Sequence, residues 1–315
     1  MRYFSVFSGV GGFEMGIERA YVDVLDSEGV QQRRLDGHGN LSIDQSELLA
    51  PKPLCVGFSE IDRYASSVLT YKFPNIKNYG DITKIGWKDV PDFDILVGGS
   101  PCQDFSVAGK RAGIEGSRSG LFSCYIQALE EKQPAYFIWE NVKGVLSSNG
   151  GRDFAYILNQ MAEAGYSLWW QVLNAKDFGV PQNRERIFVV GTRSDIGSPR
   201  EVFFERSTKG ENSKPISSRT LRAHDGGTSE YDTFIKSGAK VRRLSPKECE
   251  RLMAWPDDWT KYGAERGSSD GSRQFRGYDS EGREMIEISD TQRYKMCGNG
   301  VVSEVVAEVY KAHFL

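Results

Sequence analysis

Histidine and cysteine are scarce in this chain of 315 residues, at three and five positions. The cysteines (Cys55, Cys102, Cys124, Cys249 and Cys297) are odd in number and show no Cys-x-x-Cys or Cys/His spacing. That pattern argues against zinc and against a disulfide framework, and a reducing compartment suits it. No apolar run approaches the roughly 18 residues of a membrane helix, and Met1-Arg2-Tyr3 leads straight into a strand pattern rather than a secretory leader. A soluble, intracellular protein with no membrane partner is expected. Neither sign of charge is in excess. At a net charge of -3 there is no global basic signature, so any nucleic-acid partner must be held by a local basic face. Also missing is a glycine-rich turn followed by Lys and Ser/Thr, the usual cradle for nucleotide phosphates. No internal repeat is present.

What remains is an alternation of strand and helix patterns over the first two-thirds of the chain. Strands are expected at Tyr3–Phe7, Leu54–Ser59, around Ile82, and at Asp94–Val97, Tyr136–Trp139, Leu168–Leu173 and Arg186–Gly191. Helical periodicity marks Phe13–Tyr21, Leu121–Lys132, Phe154–Ala164 and Val301–Phe314. Such alternation predicts an α/β fold with a doubly wound, mostly parallel, Rossmann-like sheet, binding ligands at the carboxyl ends of its strands. Ser245-Pro246-Lys247-Glu248 is a capping box with Pro at the first helical position, so a helix starts there and runs to about Ala254. Three polar segments break the pattern: 27–52, 194–240 and 261–287. They divide the chain into residues 1–193, 194–240 and a closing segment 241–315.

The chemistry-bearing residues sit at expected strand ends. Phe7-Ser8-Gly9-Val10-Gly11-Gly12-Phe13 is a strand, a glycine turn and a helix start, a form shared by nucleotide sites and plain turns. Glu60 and Ile61 close the second strand, where a carboxylate can accept both ribose hydroxyls. That acid lies further from the glycines than the usual ~20 residues, and the insertion at 27–52 accounts for the excess. Asp81 and Ile82 follow at the third expected strand, with a carboxylate suited to an adenine amino group. An adenosine without phosphate fits these features, and S-adenosylmethionine is such a ligand. Gly98-Gly99-Ser100-Pro101-Cys102 then displays a thiol on a turn after an apolar strand, although most cysteines are small buried hydrophobes. Glu140 ends another strand. Arg184 and Arg186 share one side of an extended segment, as an anion clamp or as a solvated edge.

Together these residues suit methyl transfer to a cytosine: a thiolate for C6, an acid for N3 and cations to position them. The ordered series FSGVGG, SEID, GDIT, GGSPCQDFS, SRSGLF, WENVKG, QNRERIFVVG, RRLSPKECERLMAWPDDW and KMCGNGVV resembles the DNA (cytosine-5) methyltransferases of bacterial and phage type. It covers most of the chain outside the three polar segments. The resemblance implies the S-adenosylmethionine-dependent methyltransferase fold, with Cys102 as nucleophile, Glu140 as N3 acid, and Arg184 and Arg186 supporting the pocket. It further implies a cofactor site lined by Phe7, Gly9, Gly11, Gly12, Glu60, Ile61, Asp81, Ile82, Asn299, Gly300 and Val301, and no metal. Double-stranded DNA is the implied partner, its cytosine flipped out and covered by a lid over about Pro101–Arg118. A cognate restriction endonuclease, a monomeric state and a cytoplasmic, nucleoid-associated location belong to the same expectation. Two alternatives stand beside it: a tRNA cytosine-5 methyltransferase, whose frequent Cys-Phe-Thr element is absent here, and a catalytically silent DNA binder.

The chain departs from the family pattern in three places. Gly300 stands where the family often has Ser. Segment 194–240, the expected target-recognition region, is short, although Arg193, Arg200, Arg206, Lys209, Arg219, Arg222 and Lys236 supply basic groups for phosphates. Segment 261–287 is either an extra DNA contact or a surface loop.

Overall fold

The computed structural model describes residues 1–27, 34–35, 41–42, 51–101, 120–200, 202, 234–237, 240–264, 276–279 and 282–315. Its strands in chain order are β1 (Arg2–Val6), β2 (Arg34–Leu35), β3 (Leu41–Ser42), β4 (Leu54–Ser59), β5 (Ile95–Gly98), β6 (Tyr136–Val142), β7 (Tyr166–Asn174) and β8 (Glu185–Arg193). Then follow β9 (Phe234–Ser237), β10 (Lys240–Arg243), β11 (Tyr262–Ala264), β12 (Arg276–Tyr278) and β13 (Glu284–Glu287). The helices are α1 (Gly12–Ser27), α2 (Arg63–Lys72), α3 (Leu121–Lys132), α4 (Arg152–Glu163), α5 (Pro246–Leu252), α6 (Asp290–Asn299) and α7 (Ser303–Phe314).

Six strands form the central sheet in the order β4-β1-β5-β6-β8-β7. The pairs β4–β1, β1–β5 and β5–β6 are parallel, whereas β8 runs antiparallel to both β6 and β7. The sheet is therefore mostly parallel, with one reversed strand. Its cause is local. No α-helix lies between β7 and β8, only the 3-10 turn Ala175–Phe178, and a parallel return needs a longer crossover.

Alternation along the strands feeds two cores, one per face. Ile138, Phe188 and Val190 join Val10, Phe13, Ile17 and the α7 residues Val305, Val306 and Val309 on one face. Phe137, Trp139, Ile187 and Val189 join Trp87, Phe122, Leu129 and Ile157 on the other. Burying one such side chain is worth about 1.5–3 kcal/mol, so a strand slipped by one residue, with every side chain on the wrong face, is strongly disfavoured. Residues after 243 return to the first core through α7 against α1, so the glycine turn and the C-terminal helices meet in one body.

Two sequence expectations change. The strand expected around Ile82 is a 3-10 turn, Ile82–Lys84, because the Asp81 side chain caps it by accepting the Thr83 N–H at 3.0 Å. Segment 261–287 is not wholly irregular: β11, β13 and β12 form a small antiparallel sheet. It packs on α2, where the Ser67 hydroxyl donates to the Ala264 carbonyl at 2.6 Å. The expected helix at Ser245 is present with its reciprocal capping box and ends at Leu252. Cys102, most of the expected lid, and much of 27–52 and 194–240 lie outside the described residues.

Candidate active site

At the end of β1 the backbone turns through Phe7 and Gly9 with positive φ, +53° and +55°. A bulky residue there is an outlier, held by its surroundings. The Gly9 N–H donates to Glu60 Oε2 at 2.8 Å, and the Asp62 N–H donates to Glu60 Oε1 at 2.7 Å. Glu60 thus ties the glycine turn to the start of α2, and each oxygen keeps a second lone pair for a ligand hydroxyl. Burial pushes the Glu60 carboxyl up, and those two backbone donors oppose it. Asn78 Oδ1 accepts from the Glu60 and Gly80 N–H groups at 3.1 and 2.9 Å, setting Asp81 beside Glu60.

Asp62 caps α2 through Oδ1, accepting from Tyr64 and Ala65, and pairs through Oδ2 with Lys295 of α6 at 2.8 Å. Burial works against that carboxylate, yet the Lys295 ammonium and the backbone donors bring its pKa below the usual range. Asp81 is also held low, first by the Thr83 hydroxyl and N–H.

The other end of the site lies where β5 finishes at Gly98 beside Trp139 of β6, which runs on to Val142. A Cβ on Gly98 would lie 2.1 Å from the Val6 carbonyl oxygen, and one on Gly99 2.3 Å from that of Glu140. Only glycine fits so close to two neighbouring strands. Ser100 is then fixed from β6: Asn141 Nδ2 donates to its carbonyl at 2.9 Å and Trp139 Nε1 to its hydroxyl at 3.3 Å. Between those two residues Glu140 points to the opposite face and meets Arg186 Nε at 3.0 Å. Burial raises the Glu140 pKa, while Arg186 and then Arg184 pull it down. A mostly buried carboxyl with a raised pKa and a guanidinium holding one oxygen can present a proton at its other oxygen.

Both ends open into one cavity of about 640 Å³, within the range of small-molecule sites. Phe7, Gly9, Glu60, Ile61, Asp81, Ile82, Pro101, Glu140, Arg186, Asn299 and Gly300 are among its walls. Among the described residues no cluster of His, Cys, Asp and Glu could hold a metal, and no helix is long and apolar enough to cross a membrane.

Residues 1–224 match the family of C-5 cytosine-specific DNA methylases. The chain belongs to that family. It is 39% identical to the orphan methyltransferase M.Rho11sI of Bacillus phage rho11s over 65% of this chain and 36% of that protein. Against the type II methyltransferase M.HhaI of Haemophilus parahaemolyticus it is 28% identical over 97% of this chain and 92% of the other. A solved variant of Spodoptera frugiperda DNMT2 shares the fold, with a TM-score of 0.66 at 17% identity, covering 100% of this chain and 99% of that one. The matched regions thus span well under half of the phage relatives but nearly all of M.HhaI.

Not every residue nominated from the sequence faces the cavity. Gly11, Gly12, Val301 and Arg184 are not among its walls. Gly11 packs towards Phe73, and a Cβ on Gly12 would lie 2.7 Å from Val301 Cγ1, so Gly12 and Val301 join α1 to the chain after α6. Arg184 is 2% exposed and donates from Nη2 to the Gly298 and Gly300 carbonyls at 2.9 and 2.6 Å. Arg184 and Arg186 therefore do not form a two-pronged clamp on one open face. Sequence reasoning passed over Asn78, Asp62, Lys295 and Asn141. Asn141 stood beside Glu140 in the Trp-Glu-Asn-Val stretch, where alternation on a strand already set it on the opposite face. Lys295 opens the KMCGNGVV stretch, but its pairing carried no local signal, since Asp62 is far away in the chain.

Proposed function

We propose that this protein is a DNA (cytosine-5) methyltransferase that uses S-adenosylmethionine. One observation carries the reading: a single cavity has the Gly9–Glu60 pair at one end and the Glu140–Arg186 pair, next to Pro101, at the other. The donor set suits the cofactor. Carboxylates face the adenosine end, with Glu60 for the ribose hydroxyls and Asp81 for the adenine amino group, and no phosphate cradle accompanies them. When bound, S-adenosylmethionine supplies an electrophilic methyl group.

The residues of this chain do the rest. Cys102, one residue beyond the cavity wall at Pro101, adds as thiolate to C6 of a flipped cytosine. Glu140 gives its proton, or a hydrogen bond, to N3, which eases that addition; the addition turns C5 into an enamine-like nucleophile, which takes the methyl group while the electrons of the broken S–C bond stay on the cofactor's sulfur. Arg186 holds the Glu140 carboxyl in place and balances the charge left on it. Once C5 is methylated, a base takes the C5 proton, the C6–S bond breaks and the Cys102 thiolate leaves. Residues 194–240 read the DNA sequence, with basic groups on phosphates, and affinity falls steeply with salt. Duplex DNA is the substrate and a cognate endonuclease the expected companion; the protein works as a monomer in the cytoplasm of a bacterial or phage-infected cell, close to the nucleoid.

The test is to express wild type and Cys102→Ala in a host without cytosine methylation and sequence its DNA after bisulfite conversion. Protected cytosines at one motif, lost in the variant, support the reaction, the nucleophile and the duplex substrate together. Uniform conversion despite folded protein overturns the DNA reading, and methyl transfer to tRNA is then assayed.

A further inference from the structure

Arg184 was nominated from the sequence as half of an anion clamp, yet its surroundings assign it elsewhere. Its backbone is pinned on both sides: the N–H donates to Asn174 Oδ1 at 3.0 Å and the carbonyl accepts from the Ala175 N–H at 3.1 Å. Two residues earlier, Gln182 Nε2 donates to the Leu252 carbonyl at 2.7 Å. The side chain then runs inward, not towards solvent, and Nη2 reaches the two carbonyls that flank Asn299.

Those carbonyls close the C-terminus of α6, where a helix leaves acceptors without intrahelical partners and carries a partial negative charge. Helix α6 has no basic residue of its own in its last turn. The guanidinium from the β8 approach supplies the missing cation and donors, a charge-assisted arrangement in a buried place. Asn299 and Gly300 are walls of the cavity, and the same α6 carries Lys295, which pairs with Asp62 beside Glu60. One residue pair along, Arg186 holds Glu140. The segment 184–186 thus touches the cofactor wall with its first residue and the catalytic carboxyl with its third.

We propose that Arg184 is a positioning residue for the cofactor wall: it holds the Gly298–Gly300 turn so that Asn299 faces the bound S-adenosylmethionine, and it makes no contact with DNA phosphate. The inference rests on the cavity being the cofactor site, so the experiment begins by titrating wild type with S-adenosylmethionine in a calorimeter. Wild type that binds none overturns the cavity reading and this inference with it. Given binding, Arg184→Met raises the cofactor Kd at least about tenfold, the scale of losing charge-assisted hydrogen bonds behind a binding wall. Arg184→Lys, which keeps the charge, recovers part of that loss. DNA affinity measured without cofactor stays at the wild-type value in both. Arg186→Gln shows the converse, with cofactor Kd retained and turnover lost. In a double-mutant cycle, Asn299→Ala weakens cofactor binding by at least about threefold less in the Arg184→Met background than in wild type. Where Arg184→Met does not fold, by circular dichroism, the cycle is run on Arg184→Lys. Unchanged cofactor Kd, additive effects with Asn299→Ala, or lost DNA affinity each overturn the assignment.

Discussion

Glu14→Gln should remove a pH dependence of stability that the wild-type protein carries in its core. Glu14 sits in the first turn of α1 and is 1% exposed; among the described residues neither carboxylate oxygen has a well-formed hydrogen bond, and the nearby Ser5 hydroxyl and its own backbone N–H only partly offset the burial. Burial pushes its pKa from the ordinary 4.5 to about 7. Below pH 4.5 the carboxyl is neutral in the folded and unfolded chain alike. Between 4.5 and 7 the unfolded chain releases the proton and the folded one keeps it, so stability falls as pH rises through this window and levels off above it. At 1.36 kcal/mol per pH unit, the total is about 3 kcal/mol. The variant stays neutral throughout, and any fixed cost of seating the amide is the same at every pH. Urea unfolding at pH 5 and pH 8 measures both proteins. Because the unfolded chain is already mostly ionised at pH 5, the fall between the two should be about 2.5 kcal/mol smaller in Glu14→Gln than in wild type. Parallel falls would refute the reasoning, since they would place the titrating group elsewhere.

Other consequences follow from the site and its walls. A Cβ at Gly300 would lie 2.5 Å from the Trp255 ring, so Gly300→Ser should cost about 1–3 kcal/mol by thermal melting. Trp255→Tyr should relieve part of that cost in the double variant, whereas strict additivity would break the link between the two positions. DNA carrying 5-fluorocytosine should trap wild type as a denaturation-stable band, because fluorine cannot leave C5 as a proton does. The band should vanish in Cys102→Ser, and its absence with wild type that methylates normal DNA would remove the covalent step. Glu140→Gln should lose about 10²–10⁴ in turnover and keep its cofactor Kd; normal turnover would take Glu140 out of the mechanism.

Periodicity and turn chemistry are local properties, and they were readable. The strand–turn–helix at Phe7–Phe13, Glu60 just beyond β4 and the capping box at Ser245 lie where spacing along the chain put them, whereas Glu140, expected at a strand tip, lies inside β6 because pairing with β8 carries that strand on to Val142. The 3-10 turn after Asp81 was misread because the apolar Ile82 resembled a strand end, while the deciding hydrogen bond came from the aspartate beside it. The reversed strand β8 was not foreseen because the alternation of strands and helices was extended over a connection that holds only one 3-10 turn.

By itself the sequence determined which residue types stand near the strand ends, and hence the chemistry on offer: a thiol, three acids, a glycine turn and a pair of arginines. Only the tertiary structure decided where they point. Arg184 and Arg186 are equivalent by alternation, yet one is drawn inward by two carbonyls more than a hundred residues away and the other meets Glu140. At Gly300 the ring of Trp255, 45 residues earlier, occupies the space a side chain would need. Such choices depend on partners brought together by burial, and separation along the chain carries no trace of them.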